Sequence, residues 1–354
     1  MNPSQLAALD ILTPIQREYV IALRQELQDK DKTDVFGLNM TDLESPQTVK
    51  SCQPRQREMA DEAIESSKNV VVLDEKGRVI LVYRRNHLLD PVVRSAEAAI
   101  EKLLKNVNLK LPPDDDRRSN IDKQDLIKKY GDGRFGVLYC AYWMEQGNAA
   151  NGPMICREMA KGSTRLGDYC RFVRDMKQTK ERLSLLYAAA DPLRWRQCIN
   201  IFDALCYFKP DAQLLAASKI DPWTSLVLVA NVPTDVHRDL NDARHMLSGI
   251  ASSGTFPSSW LVIHSGGFKM RIKPEHGILL NTHILAHFVD SREPDDEKLE
   301  PDQAKEPRTE EFKSNEQELN SDEGYQAPDQ YILSFFNHQK VQDWVRSQAQ
   351  SGER

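Results

Sequence analysis

The sequence predicts an α+β fold in which an antiparallel β core, a sandwich or jelly roll, is packed by surrounding helices. After Pro222, apolar runs recur at Ser225–Val232, Trp260–His264, Phe268–Lys273, Gly277–Phe288 and Tyr331–Asn337, parted by turns that contain Gly or Pro. Short strands at that spacing build antiparallel cores. Before Pro222, helical periodicity dominates. Length and composition agree, since 354 residues with 40% hydrophobic and 28% charged side chains suit one large or two ordinary globular domains.

In chain order, residues 1–66 read as a helical lead-in, with apolar positions at helical spacing over Pro14–Leu27 and a short helix over Arg57–Ser66. Residues 67–348 read as the main domain, a support region at 67–219 followed by a β core at 220–345. The segment NVVVLDEKGRVILVYRR places two β-branched runs around a turn at Asp74–Gly77, a hairpin. Helices are expected over 92–106, 121–130, 166–188 and 192–207, and a strand in GRFGVLYCAYW. No internal repeat is visible.

The six cysteines form no C-x-x-C pair, which argues against a zinc ribbon or a disulfide scaffold and leaves buried or idle thiols. No stretch reaches the 18 or so apolar residues of a membrane helix, and the N-terminus lacks a signal-peptide layout. A soluble intracellular protein without membrane partners is expected.

The net charge of −6 is an average of unlike parts. Residues 290–324 carry 14 acidic and 5 basic side chains, too polar to offset ordering entropy, and read as a disordered acidic insert. The remainder is then weakly positive. From Arg157 to Arg196 ten basic residues face five acidic ones. This is either a solvated helix face or a polyanion surface, with Arg165, Arg171, Arg174 and Lys177 as candidates for a nucleic-acid backbone.

Six of eight histidines lie between 237 and 287. In VPTDVHRDLNDARH, His237 and Asp239 are two apart; on an extended strand both leave one face, roughly 6.5–7 Å apart. His287, later in GILLNTHILAHFVD, offers a third ligand, with His283 as its competitor on the same strand face. Two imidazoles and one carboxylate with open positions opposite suit non-haem Fe(II). HEXXH, P-loop, G-x-S-x-G and Rossmann patterns are absent.

H-R-D-x-N-D at 237–242, the strand ending H-F-V at 287–289 and QYILSFFNHQ at 330–339 together resemble the TET/JBP-like Fe(II)- and 2-oxoglutarate-dependent dioxygenases, especially compact fungal forms. The resemblance covers 220–345 well and the region before it less specifically. It implies a double-stranded β-helix core and oxidation of the methyl group of 5-methylcytosine, or a related base, flipped out of DNA. It further implies Fe(II) and 2-oxoglutarate as cofactors, methylated DNA as partner, and a nuclear location. His237, Asp239 and His287 would hold the iron. Asp242 would meet the polar edge of the base, Phe336 would stack on it and His338 would hydrogen-bond to it. Apart from the resemblance, Phe336 reads as core and His338 as a solvated strand end.

One departure concerns the cosubstrate. The family opens its last strand with an arginine, then a serine two residues on, to clamp the distal carboxylate of 2-oxoglutarate; here those positions are Gln330 and Ile332. A glutamine lacks the charged fork of arginine. Three readings stay open: another cation serves, with Arg271, Lys273 or Arg292 as candidates; a different reductant is used; or the protein binds nucleic acid without turnover. A dioxygenase of the same core acting on a protein or small molecule is the further alternative.

Overall fold

The computed structural model describes residues 1–38, 63–111, 122–144, 151–256, 259–290 and 329–352. The Arg57–Glu62 part of the second expected helix, Cys52, Arg292 and nearly all of the acidic insert lie outside the described residues.

Helices and strands are mixed, as expected, around one large sheet and one smaller one. The large sheet has nine strands in the order β1 (Thr33–Leu38), β3 (Asn69–Asp74), β4 (Val79–Arg84), β12 (Gly277–Leu280), β9 (Ser248–Ser253), β14 (Tyr331–Phe336), β7 (Ser225–Ala230), β5 (Gly136–Trp143) and β6 (Met154–Ile155). The smaller sheet has five, in the order β2 (Ile64–Glu65), β11 (Phe268–Ile272), β10 (Ser259–Ile263), β13 (His287–Asp290) and β8 (Thr234–His237). Neighbours pair antiparallel except β1 with β3 and β2 with β11. From β7 onward the chain crosses repeatedly between the two sheets.

The hairpin forms where its turn chemistry demands. Asp74 Oδ1 accepts from the backbone N–H groups of Lys76 and Arg78, and Gly77 takes φ +70°, a conformation glycine adopts without strain.

The two faces of the large sheet divide by strict alternation. Leu138, Cys140, Leu226, Leu228, Leu333 and Phe335 join the main core with the helices. Val137, Val227, Val229, Ile332 and Phe336 face the smaller sheet. The helical layer consists of α2 (Pro14–Gln28), α3 (Asp90–Leu104), α5 (Leu166–Asp175), α6 (Lys177–Ala190) and α7 (Pro192–Phe208), with α1 (Pro3–Ala7), α4 (Lys123–Tyr130) and α8 (Gln339–Gly352) completing the helices among the described residues.

Several expectations need correction. The helix expected over 166–188 breaks at Met176, whose ψ of 0° leaves helical geometry. The lead-in is not purely helical, because Thr33–Leu38 joins the large sheet and Ile64–Glu65 the small one. The strand expected over Gly277–Phe288 is two strands in different sheets: Asn281 turns the chain, its Oδ1 and carbonyl accepting from the N–H groups of Ile284 and Leu285. The last strand stops at Phe336, and the helix Gln339–Gly352 follows it unforeseen. Among the described cysteines all five thiols are free, with Cys140, Cys156 and Cys198 buried. Among the described residues, no helix is long and apolar enough to cross a membrane.

Candidate metal centre and its cavity

Between the two sheets lies a cavity of about 590 Å³. Its walls are Val227, Val229, Ile250, Ile332 and Phe336 from the large sheet and Leu261, Ile272 and Val289 from the small one, with His237, Asp239, Asp242, His287 and His338 at its polar end.

His237 ends β8 and His287 begins β13, and the two are register partners across the antiparallel pair. Their rings therefore stand side by side, with centroids 4.5 Å apart. Asp239 lies two residues past the strand end, its backbone N–H held by the Thr282 carbonyl at 2.9 Å. The turn, rather than an extended strand, brings the carboxylate round, so the donor atoms of His237, Asp239 and His287 lie within 4.8 Å of one another.

The tautomers are set as ligation requires. His237 Nδ1 lies 2.8 Å from the Asp235 carbonyl and His287 Nδ1 2.9 Å from the Leu285 carbonyl. A carbonyl only accepts, so each Nδ1 carries the proton and each Nε2 keeps its lone pair for a metal. His237 Nε2 is 3.9 Å from Asp239 Oδ1. Two neutral imidazoles and one carboxylate, with the cavity side open, fit a divalent iron. His283 sits instead on the turn between the strands, its Nδ1 donating to the Asp242 carbonyl at 3.0 Å.

Asp242 lines the cavity but is 7% exposed, and its Oδ2 accepts from Thr282 Oγ1 at 2.6 Å and Ser248 Oγ at 3.2 Å. Its backbone bridges to His338, so His338 sits on this bridge rather than on the strand. Asn337, buried between Phe336 and His338, accepts from Thr224 N–H and donates to the Pro222 carbonyl, locking the end of β14 to the start of β7. The sequence reading missed Asn337; a buried amide between two candidate residues carries no periodic signal.

Phe336 packs on Val137 and Val227, and its ring meets His338 edge-on at 5.2 Å. Trp143 reaches His338 from the other side at 6.4 Å and Tyr139 stands 5.5 Å from Trp143. The aromatic wall is thus wider than Phe336 alone. Burial holds the His338 imidazole below its ordinary pKa range, opposed by the Asn241 carbonyl and Asp239.

Gln330 lies at the other end of β14. Its backbone is pinned both ways by Asn231, whose Oδ1 accepts from the Gln330 N–H at 2.7 Å and whose N–H donates to the Gln330 carbonyl at 2.8 Å. Its Nε2 donates to Ser259 Oγ. Arg271, offered as a substitute cation, is on the wrong face. Its neighbour Ile272 lines the cavity, while the Arg271 guanidinium lies 4.7 Å from the centre of the Trp260 ring and 3.7 Å from Glu65. Adjacent strand residues point to opposite faces. Lys269, on that same outer face, also lies over Trp260. The single Lys or Arg among the described lining residues is Arg238, which the sequence reading had passed over between two ligands.

The basic run does not border this cavity. Arg165 and Arg171 both pair with Asp168, and Lys177 with Glu181, on helices α5 and α6, which cover the opposite face of the large sheet. Arg174 closes the last turn of α5. Lys180 is buried against Asp221, Arg194 pairs with Asp191 and Arg196 with Asp10. Six of the ten basic residues of the run therefore pair within the helical layer or against it.

No protein-family model matches the chain, and a comparison with curated proteins gives no match. Among solved structures, the chain is similar to NgTET1 in complex with 5mC DNA, with a TM-score of 0.51 and 11% identity over 94% of this chain and 93% of that one. It also aligns with JOX2 in complex with 2OG, Fe and JA, at a TM-score of 0.28 and 9% identity over 96% of this chain and 83% of that one. At such identity the first likeness concerns the fold.

Proposed function

We propose that the chain is an Fe(II)-dependent dioxygenase with a double-stranded β-helix core, which oxidises the methyl group of 5-methylcytosine or a related methylated base in DNA. The observation that carries this reading is the meeting of His237, Asp239 and His287 within 4.8 Å on the wall of a cavity that also holds Phe336 and His338. The repeated crossing of the chain between two sheets supports the β-helix core. The likeness to NgTET1, a protein bound to 5mC DNA, supports the substrate class. A nuclear location would follow from that substrate.

Bound iron would supply oxygen activation, and the chain's own residues do the rest. The three ligands would hold the metal, with the cavity beside them. Phe336, Tyr139 and Trp143 offer aromatic faces to a flipped base, whose stacking is worth about 1–3 kcal/mol. His338 Nδ1, 3.3 Å from the Asn241 carbonyl, keeps its proton there, so Nε2 can accept from an exocyclic amino group. The apolar walls exclude water from the oxidation.

A second reading, an oxygenase of the same core acting on a protein or small molecule, is favoured by the engagement of Asp242 with Thr282 and Ser248 and by the remoteness of α5 and α6 from the cavity. Mass spectrometry of a 5-methylcytosine duplex incubated with protein, Fe(II), O₂ and a 2-oxo acid separates the two. Oxidised base in the wild type and none with His237→Ala is expected. An unmodified duplex with iron bound favours the second reading, and oxidation retained in His237→Ala overturns the metal assignment.

A further inference from the structure

The cavity beyond the metal ligands is built for something other than a second carboxylate. Val289, two residues past His287 on the same strand face, lies roughly 6.5–7 Å along the sheet from it. Leu261 is its register partner, and Ile272, Ile250, Ile332 and Val229 complete that arm. A molecule that chelates iron at His287 and extends inward meets mostly aliphatic side chains, with the neutral Ser334 and Thr234 among them.

The polar groups at the far end are neutral and engaged. Gln330 Nε2 is committed to Ser259, and Asn231 Nδ2 donates to the Arg134 carbonyl and to Asp329. The ionised groups beside Gln330 are Arg134, Asp329 and Glu101, joined by contacts of 2.6–3.3 Å. One cation against two anions leaves that corner net negative. Among the described residues, a second carboxylate placed there would lose its hydration without a free cation beside Gln330 to meet it, a large penalty. The residues present therefore do not fit the distal carboxylate of 2-oxoglutarate.

We propose that this arm takes a 2-oxo acid with an uncharged aliphatic tail, of the 4-methyl-2-oxopentanoate class, in place of a dicarboxylate. This inference rests on the iron-dependent reading above. The net chemistry balances without further reagents: the bond between C1 and C2 of the 2-oxo acid breaks, releasing CO₂ and leaving a carboxylate one carbon shorter. One oxygen atom of O₂ enters that carboxylate and the other the substrate hydroxyl. The 2-oxo acid and the substrate C–H each give up two electrons, and O₂ accepts four.

The test is binding, read without turnover. Protein loaded anaerobically with Fe(II) is titrated with 4-methyl-2-oxopentanoate and, separately, with 2-oxoglutarate, following the visible charge-transfer absorption of the iron chelate. The aliphatic acid is expected to bind at least roughly tenfold more tightly, and Gln330→Arg combined with Ile332→Ser is expected to reverse the order by installing a bidentate clamp. Equal or tighter binding of 2-oxoglutarate by the wild type overturns the inference, with Arg238→Gln showing whether Arg238 is the cation responsible. A protein that takes up no iron, with His237→Ala behaving as wild type, removes the metal reading itself, a result distinct from iron uptake with 2-oxoglutarate preferred.

Discussion

Replacing Lys180 by methionine removes one half of a buried ion pair on which the approach to the cavity depends. Lys180 and Asp221 are 1% and 2% exposed. Lys180 Nζ touches the Asp221 carboxylate and donates to the Leu215 carbonyl at 3.0 Å. Asp221 also accepts from the N–H groups of Ala217 and Trp223 at 3.1 and 3.2 Å, which fixes the turn leading into β7 and its cavity residues Val227 and Val229. At an effective dielectric near 20 the attraction at contact is about 4 kcal/mol. Methionine fills the space of the lysine stem but leaves the buried Asp221 carboxyl without its counter-charge, to stay ionised or to take up a proton at a cost, a loss of about 3–5 kcal/mol. For a chain of this length that lowers Tm by roughly 5 °C. Adding Asp221→Asn is expected to recover part of the loss, since no charge is stranded, while the single amide oxygen replaces only one of the two oxygens that accept from Ala217 and Trp223. Urea unfolding of the wild type, single and double variants measures the effect. A single-variant loss below about 1 kcal/mol, within the range of exposed pairs, refutes the argument.

Two further outcomes are expected. His87 is 1% exposed and burial pulls its pKa down to about 3, while its Nε2 donates to the Arg182 carbonyl at 2.8 Å. Because the unfolded chain takes up this proton near pH 6.5 and the folded one does not until about pH 3, this contribution is complete above pH 6.5 and is lost as the pH falls through that window. The loss is about 2 kcal/mol by pH 5; denaturation at pH 7 and pH 5 checks it, and an unchanged pH dependence in His87→Gln counts against it. Phe336→Leu keeps the contact with Val137 and Val227 but removes the ring, so Tm should shift little while affinity for a 5-methylcytosine duplex falls roughly tenfold or more. Unaltered affinity by fluorescence anisotropy would remove Phe336 from the proposed base site.

Where the candidate site needed only residue type and strand spacing, the sequence was enough to list its residues. His237, Asp239 and His287 were legible because a strand pair can return a residue to the same place, although Asp239 arrives by a turn held on Thr282. The hairpin at 69–85 was legible through its two β-branched runs and the turn at Asp74–Gly77. The strand Ser248–Ser253 was not, since serine and glycine carry little β signal, and yet it sits at the centre of the large sheet between β12 and β14. The place of the basic run, away from the cavity, was not legible because charge counted along a helix says nothing of which sheet face that helix covers.

The sequence by itself determined the α+β class, the order of most helices and strands, and the candidate ligand set, because these follow from hydrophobic period, turn chemistry and residue type. Only the tertiary structure decided which face each strand turns to the cavity. That placed Arg271 outside and Ile272 inside, engaged Asp242 with Thr282 and Ser248, and tied Gln330 to Ser259 and Asn231. The physical reason is that a side chain's charge and hydrogen-bonding capacity are spent on whatever packs against it, and those partners come from segments dozens to hundreds of residues away.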